Sequence, residues 1–278
     1  MTLDLLIALS LGAVGLVMGS AVTALAHRLP RGLSWTRGRS ACPRCGTPLA
    51  VRDLVPVLSF ALSRGSCRHC GERIAWRYPL TELLCAAWAV LLYRHVGLGA
   101  TYPFLAVWGF LMIALLWIDL DFQLLPDALT LPGTLVALAA ALQLPLPAAR
   151  PLAFLPALAG FQLHGATWHA LSGILVGAGL LWLIGEAYYR LRNIEGLGGG
   201  DIKLAAMFGA VLGWKLTLLT LFLGALAGSL WGGWLMLRGR GSRMTPLPFG
   251  TLLAPAALVA FLWGADWMNA YLGSFIAR

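Results

Sequence analysis

Seven of the eleven acidic residues fall within or beside long apolar runs: Glu82, Asp119, Asp121, Asp127, Glu186, Glu195 and Asp201. A carboxylate in such a place is costly and is a functional candidate by default. Two groups stand out. One is Asp119-Leu120-Asp121 followed by Leu125-Pro126-Asp127, the other Glu195 through Gly198-Gly199-Gly200-Asp201-Ile202-Lys203. Glycines before Asp201 let backbone and substrate come close and permit positive φ. Two carboxylates at one depth that share a proton can hydrolyse an amide: the ionised one deprotonates water, the protonated one hydrogen-bonds the carbonyl oxygen. No Ser-His-Asp set, H-E-x-x-H motif or P-loop competes for the chemistry. The plainer reading of Asp201 is a helix cap after a flexible Gly loop. Asp119 and Asp121 stand about 200° apart around a helix, so they cannot both face one partner. Asp127, after Pro126, reads as an N-cap or first-turn residue.

Four of the five cysteines form two knuckles, Cys42-Pro43-Arg44-Cys45-Gly46 and Cys67-Arg68-His69-Cys70-Gly71, with 21 residues between them. That spacing fits a zinc ribbon, in which four thiolates close a tetrahedral shell and leave no open position for catalysis. A structural Zn²⁺ on Cys42, Cys45, Cys67 and Cys70 would order an insert too small to rely on its own core. His69 is a competing ligand inside the second knuckle. Cys85, alone in an apolar run, reads as a small buried residue.

The elements that position these groups follow from composition. The chain has 278 residues, 59% hydrophobic and 11% charged, with a net charge of +9. Soluble domains carry about a quarter charged residues. An ordinary soluble enzyme, a disordered chain and a nucleic-acid binder are excluded. Apolar runs at 4–26, 79–98, 101–119, 127–147, 167–189, 202–214, 216–237 and 249–274 predict an all-α polytopic membrane protein. Its bundle would hold about eight transmembrane helices and a small zinc-ribbon-like cytoplasmic insert. The 202–214 and 216–237 runs read as a tight hairpin or one bent element. The first run, 1–26, resembles a signal peptide at Ala24-Leu25-Ala26, but no basic residue precedes it, so it reads as a retained span. Alternating spans place sixteen of the twenty Lys and Arg on one side, ten of them in the 27–78 insert, and four on the other. The positive-inside rule makes the sixteen cytoplasmic. The insert's charge reads first as a topology signal and a contact for anionic lipid. Both acidic groups then lie at cytoplasmic helix ends. The expected organisation is a first helix (1–26), a four-cysteine zinc-binding insert (27–78) and a membrane-embedded hydrolytic domain (79–278).

At this point the sequence resembles the type IV prepilin leader peptidases, the bacterial intramembrane aspartic peptidases of the G-x-G-D group. Gly198-Gly199-Gly200-Asp201-Ile202-Lys203-Leu204 is similar to the family's G-x-G-D-x-K-L. The segment from Ile118-Asp119-Leu120-Asp121 to Leu125-Pro126-Asp127 and Thr130-Leu131-Pro132 is similar to its first-aspartate segment. Gly19-Ser20, His27-Arg28-Leu29-Pro30, the paired cysteines, Tyr78-Pro79-Leu80 with Glu82, and Pro248-Phe249-Gly250 also match. Departures are Ala21-Val22-Thr23 in the N-terminal signature, Thr251 where Pro is common, and an apolar 147–166 stretch. The resemblance implies Asp119 and Asp201 as the catalytic pair, prepilin or pseudopilin substrates, and a place in the bacterial inner membrane. It also implies methylation of the new N-terminal amine from S-adenosylmethionine. For the methyl donor, Glu82 and the basic insert are the candidates, against a structural Glu82 paired with Arg77. The rival from another class is a transporter whose acids relay protons or bind cations beside a structural zinc domain.

Overall fold

Glycines set the seam between the first two long helices in the computed structural model, which describes residues 2–34, 37–143, 165–194, 196–239 and 247–276. Helix α1 (Thr2–Arg28) packs on α3 (Arg77–Val96). A Cβ on Gly15 would lie 2.6 Å from the Ala86 Cα, and one on Gly19 would meet the Glu82 backbone. Small residues four apart let two helix backbones close in where lipid supplies no hydrophobic drive. Cys85 lies fully buried in this seam, as its solitary position predicts.

The chain divides into two compact units, Met1–Ile118 and Asp119–Arg278. In the first, α4 (Thr101–Phe122) meets α3 through aromatic anchors. The Trp88 indole donates to the Leu105 carbonyl at 3.3 Å, and the Tyr102 hydroxyl to Ala89 at 2.9 Å. Between α1 and α3 lies the insert, with one short helix, α2 (Leu58–Leu62). Isolated bridges Ala41 to Pro48 and Ser66 to Arg73 close its two knuckles, and no longer strand occurs among the described residues.

The second unit holds the last turn of α4, then α5 (Asp127–Gln143), α6 (Gly165–Arg192), α7 (Gly199–Leu237) and α8 (Phe249–Ile276). Helix α7 is a hairpin. Its chain reverses at Gly213, where φ is 68° and ψ 172°, a conformation open essentially only to glycine. Contacts with α6 fix the fold-back. Gly173 touches both Gly209 and Gly213, and one turn further on Gly177 touches both Ala205 and Thr217. The 202–214 and 216–237 runs are therefore two antiparallel arms. With the arms counted separately, eight helical segments answer the eight apolar runs.

Among the described residues, five helices (α1, α4, α6, α7 and α8) are long and apolar enough to cross a bilayer. The protein is a multi-pass membrane protein. Helix α3 carries Arg77, Glu82 and Arg94, and α5 has only 17 residues, which explains their weaker signals. Most of the 147–166 stretch, up to residue 164, lies outside the described residues.

Candidate active site

Asp119 sits in the last turn of α4. The helix stops because Gln123 turns left-handed (φ 49°) and donates its N–H to the Asp119 carbonyl at 2.8 Å. Leu124, Leu125 and Pro126 then run without helix, and the Pro126 carbonyl accepts N–H groups of Leu129 and Thr130 to start α5. Asp127 opens α5, as expected. Two residues apart on α4, Asp119 is 5% exposed while Asp121 lies on the exposed side.

Asp201 is the third residue of α7, whose N-cap is Gly198. Its carboxylate takes hydrogen bonds from the backbone N–H groups of Gly198 and Gly250. The reach back to Gly198 is half of a capping box. Cap and site are thus one arrangement, and Asp201 is not itself the N-cap. None of the glycines from Gly196 to Gly200 has positive φ. Close approach explains Gly200 instead, while Gly199 faces open space. A Cβ on Gly200 would lie 2.9 Å from the Leu125 Cβ, and one on Gly198 3.4 Å from Asp201 Oδ2.

The N-terminus of α8 joins the two acids. Thr251 donates to Asp119 Oδ2 twice, from its N–H at 2.6 Å and its hydroxyl at 3.0 Å. A Cβ on Gly250 would stand 3.1 Å from the Asp119 carboxylate, while the Gly250 N–H serves Asp201. The two carboxylates converge on Gly250 and feel each other's charge. They line a cavity of about 610 Å³ with Gly198, Gly199, Gly200 and the Leu124–Pro126 turn. At its edge Lys203 Nζ reaches Asp127 Oδ1 at 2.6 Å and ties α7 to α5. Asp121 does not line the cavity; Glu186 pairs with Arg190 at 2.7 Å on an exposed face; Glu195 lies outside the described residues. Gly250 has no side chain and Thr251 reaches Asp119 only through the tertiary fold, so sequence reasoning missed their part. The only signal was Pro248-Phe249-Gly250 ahead of an apolar run.

In the insert, the sulfurs of Cys42, Cys45, Cys67 and Cys70 lie within 4.8 Å of one another, with Cys42 and Cys70 at 3.8 Å. The cluster can hold a metal ion, and His69 is not part of it. Gly46 and Gly71 have φ of 69° and 72°, which lets their N–H groups return to the Cys42 and Cys67 carbonyls, each at 2.9 Å. Thr47, through hydroxyl and backbone N–H, holds the Cys45 thiol down to about 6. The amides of Cys70 and His69 likewise lower Cys67. These two shifts favour thiolates, the form that binds metal, while at Cys70 the lowering pull of the Glu72 N–H is outweighed by burial and the three neighbouring sulfurs, which push it up to about 11.

Glu82, on α3, belongs to the first unit. It is half-buried, accepts the Val57 N–H at 2.7 Å, and makes no ion pair among the described residues. The expected structural alternative, a pair with Arg77, is replaced by this backbone contact. Glu82 lines a separate cavity of about 550 Å³ within the first unit, bounded by α1, α3 and the insert.

Comparison with known proteins covers both units. Residues 13–96 match the bacterial peptidase A24 N-terminal domain, and 104–233 the type IV leader peptidase family. A prepilin leader peptidase/N-methyltransferase of Aeromonas hydrophila is 38% identical over 244 residues, 86% of this chain and 76% of that protein. Proteins of the same name from Pseudomonas aeruginosa and Bacillus subtilis are 34% and 32% identical over 93% of this chain, and the matches cover 91% and 95% of those proteins. No solved structure matches. With two acids gathered on one glycine, a four-sulfur knuckle pair and relatives matched over most of its length, the chain belongs to the type IV leader peptidase family.

Proposed function

We propose that the chain is an intramembrane aspartic endopeptidase. It removes the basic leader from type IV prepilins or type II secretion pseudopilins and then N-methylates the new N-terminal residue. The observation that carries this reading is the convergence of Asp119 and Asp201 on Gly250 inside one cavity. One carboxylate, ionised, takes a proton from water as its oxygen attacks the scissile carbonyl carbon. The other, protonated, hydrogen-bonds the carbonyl oxygen and later passes a proton to the departing amine nitrogen. The Thr251 and Gly250 donors keep both acids in place through the cycle. The relatives' names favour cleavage over transport.

The four sulfurs fit Zn²⁺. A tetrahedral ion with Zn–S bonds of about 2.3 Å needs sulfurs about 3.8 Å apart, the separation of Cys42 and Cys70. Cys42, Cys45, Cys67 and Cys70 would hold it as a structural ion in a cytoplasmic insert (27–78), with the peptidase domain spanning 79–278. The active site then opens on the cytoplasmic side of the bacterial inner membrane. S-adenosylmethionine, when bound, supplies an electrophilic methyl group for the new amine.

The test is a detergent-solubilised assay with a prepilin peptide. Asp119→Asn and Asp201→Asn each abolish cleavage with the protein inserted and zinc-loaded, and Asp121→Asn retains substantial activity. Cleavage by the Asp119→Asn protein, with Asp121→Asn dead, would overturn the assignment.

A further inference from the structure

The rim of the aspartate cavity carries a second pair of charges. Among the described residues that line it, Asp127 is the one carboxylate besides Asp119 and Asp201, and Lys203 is the one cation. The two meet each other, Lys203 Nζ against Asp127 Oδ1 at 2.6 Å. The Asp127 side chain has no other partner among the described residues. Both side chains stay open to solvent, 56% for Asp127 and 39% for Lys203. A pair so exposed is screened by water and ties two helices only weakly. The remaining acids of this unit are placed elsewhere. Asp121 and Asp266 do not line the cavity, and Glu186 is engaged by Arg190.

A basic leader brings its own cations to this rim. The acid pair, sharing one proton, carries one negative charge, and Asp127 and Lys203 cancel. The cavity therefore attracts a basic segment. Its acid pair cannot be spent on a lysine or arginine head group, because water and the scissile carbonyl need it. Asp127 is the carboxylate that remains. Lys203 sits on it as an ammonium on a flexible stem, with the position and charge that a leader lysine would bring. A cavity of about 610 Å³ holds only a few residues of peptide, so a cation read at its rim lies within a few residues of the cut.

We propose that Asp127 reads the basic leader and that Lys203 is the chain's own stand-in for the leader's cation. Without substrate, Lys203 holds the Asp127 carboxylate. A leader lysine or arginine takes its place as the scissile bond reaches Asp119 and Asp201. The proposal rests on the leader-cleavage reading above. Exchange of one cation for another keeps the charge at Asp127 balanced. It releases the Lys203 ammonium into water, which its exposure already allows. Asp127 is thus a specificity residue of the peptidase, and the first turn of α5 is part of the substrate site.

The test uses the full-length, zinc-loaded protein in detergent and two prepilin peptides. One has the basic leader, and the other has glutamine for every leader lysine and arginine. The wild type cleaves the basic peptide with a kcat/KM at least about tenfold higher. Asp127→Asn loses most of that ratio. Lys203→Met breaks the same tie but leaves the carboxylate free, so it keeps or widens the ratio. A tie that is only structural makes the two variants behave alike and slows both peptides by one factor, which would overturn the proposal. So would an undiminished ratio in Asp127→Asn, or a wild type that cleaves both peptides equally. A second measurement needs no change at position 127 or 203. In the cleavage-dead Asp119→Asn protein, zero-length carbodiimide coupling joins Lys203 to Asp127. A peptide with a lysine leader suppresses that link and couples its own lysine to Asp127, and the glutamine peptide does neither. An internal link that the lysine peptide leaves unchanged would sink the exchange while leaving the peptidase reading intact. A wild type that cleaves neither peptide would sink that reading, and this proposal with it.

Discussion

Asp119 owes its place to a residue that sequence comparison would count as a departure. Position 251 is commonly Pro in the family resembled, and Pro has neither an N–H nor a hydroxyl to give. Thr251 gives both, at 2.6 and 3.0 Å, to the same carboxylate oxygen. Hydrogen bonds to charged groups contribute about 1.5–3 kcal/mol each. Thr251→Val keeps the N–H and loses the hydroxyl, so kcat for prepilin cleavage should fall about tenfold, with KM little changed. Steady-state kinetics on a leader peptide checks this, and an unchanged kcat would remove the hydroxyl from the positioning of Asp119. Gly250 is the sharper case. Its missing Cβ leaves room for the Asp119 carboxylate and the Leu125 side chain, 3.1 and 2.9 Å from where the Cβ would stand. Gly250→Ala should displace the acid by a fraction of an ångström and cost about a hundredfold in cleavage. Zinc content should stay unchanged. Normal cleavage by that variant would mean that the acids do not depend on close approach at α8.

At the scale of elements, the turn in α7 decides what the second unit can be. Gly213 reverses the chain in a conformation that costs other residues about 1–3 kcal/mol. His169 of α6 packs against the Gly213 Cα, where a Cβ would collide with the ring. Gly213→Ala should therefore lower the thermal midpoint in detergent by several degrees. Loss of heat stability measured by intrinsic Trp fluorescence checks it, and a midpoint equal to wild type would mean the reversal is relaxed. Much of this scale was legible in the sequence. Long apolar runs gave the helices because a bilayer leaves the backbone little choice. The knuckles were legible because metal ligation fixes both residue type and spacing. The hairpin was open between two readings, since Trp214 and Lys215 suit either a bend or a fold-back. What decided it was α6, whose Gly173 and Gly177 face both arms, a pairing that no local pattern encodes. The approach of α8 to Asp119 was hidden for the same reason. Thr251 lies 132 residues from Asp119. It and Gly250 act through backbone N–H groups, which every residue but Pro has.

For the whole molecule, charge and metal set separate constraints. Sixteen of twenty basic residues fall on one side of the alternating spans, which the positive-inside rule would make cytoplasmic. A phosphatase reporter fused after Gly97, between α3 and α4, should be active as an external fusion, and one fused after Gly239 inactive. Activity after Gly239 would break the alternation in the second unit. The insert answers to the metal instead. Its described residues form only α2, two bridges and two short helical turns, too little to bury a core of their own. Four thiolates around one ion can supply the missing cohesion, since the binding free energy of a structural zinc is folding free energy. Elemental analysis should find about one zinc per chain, lost in Cys42→Ser/Cys45→Ser. Acid should release it too. Metal binding needs thiolates, so protons compete with the ion for the four sulfurs and the zinc content should fall as pH is lowered. Cys42 and Cys67 also line the cavity that holds Glu82, so removing the metal dismantles a wall of that cavity. Chelation should make the chain between Gly38 and Trp76 sensitive to trypsin. A stripped protein that resists trypsin as before would show that the insert holds its shape without zinc.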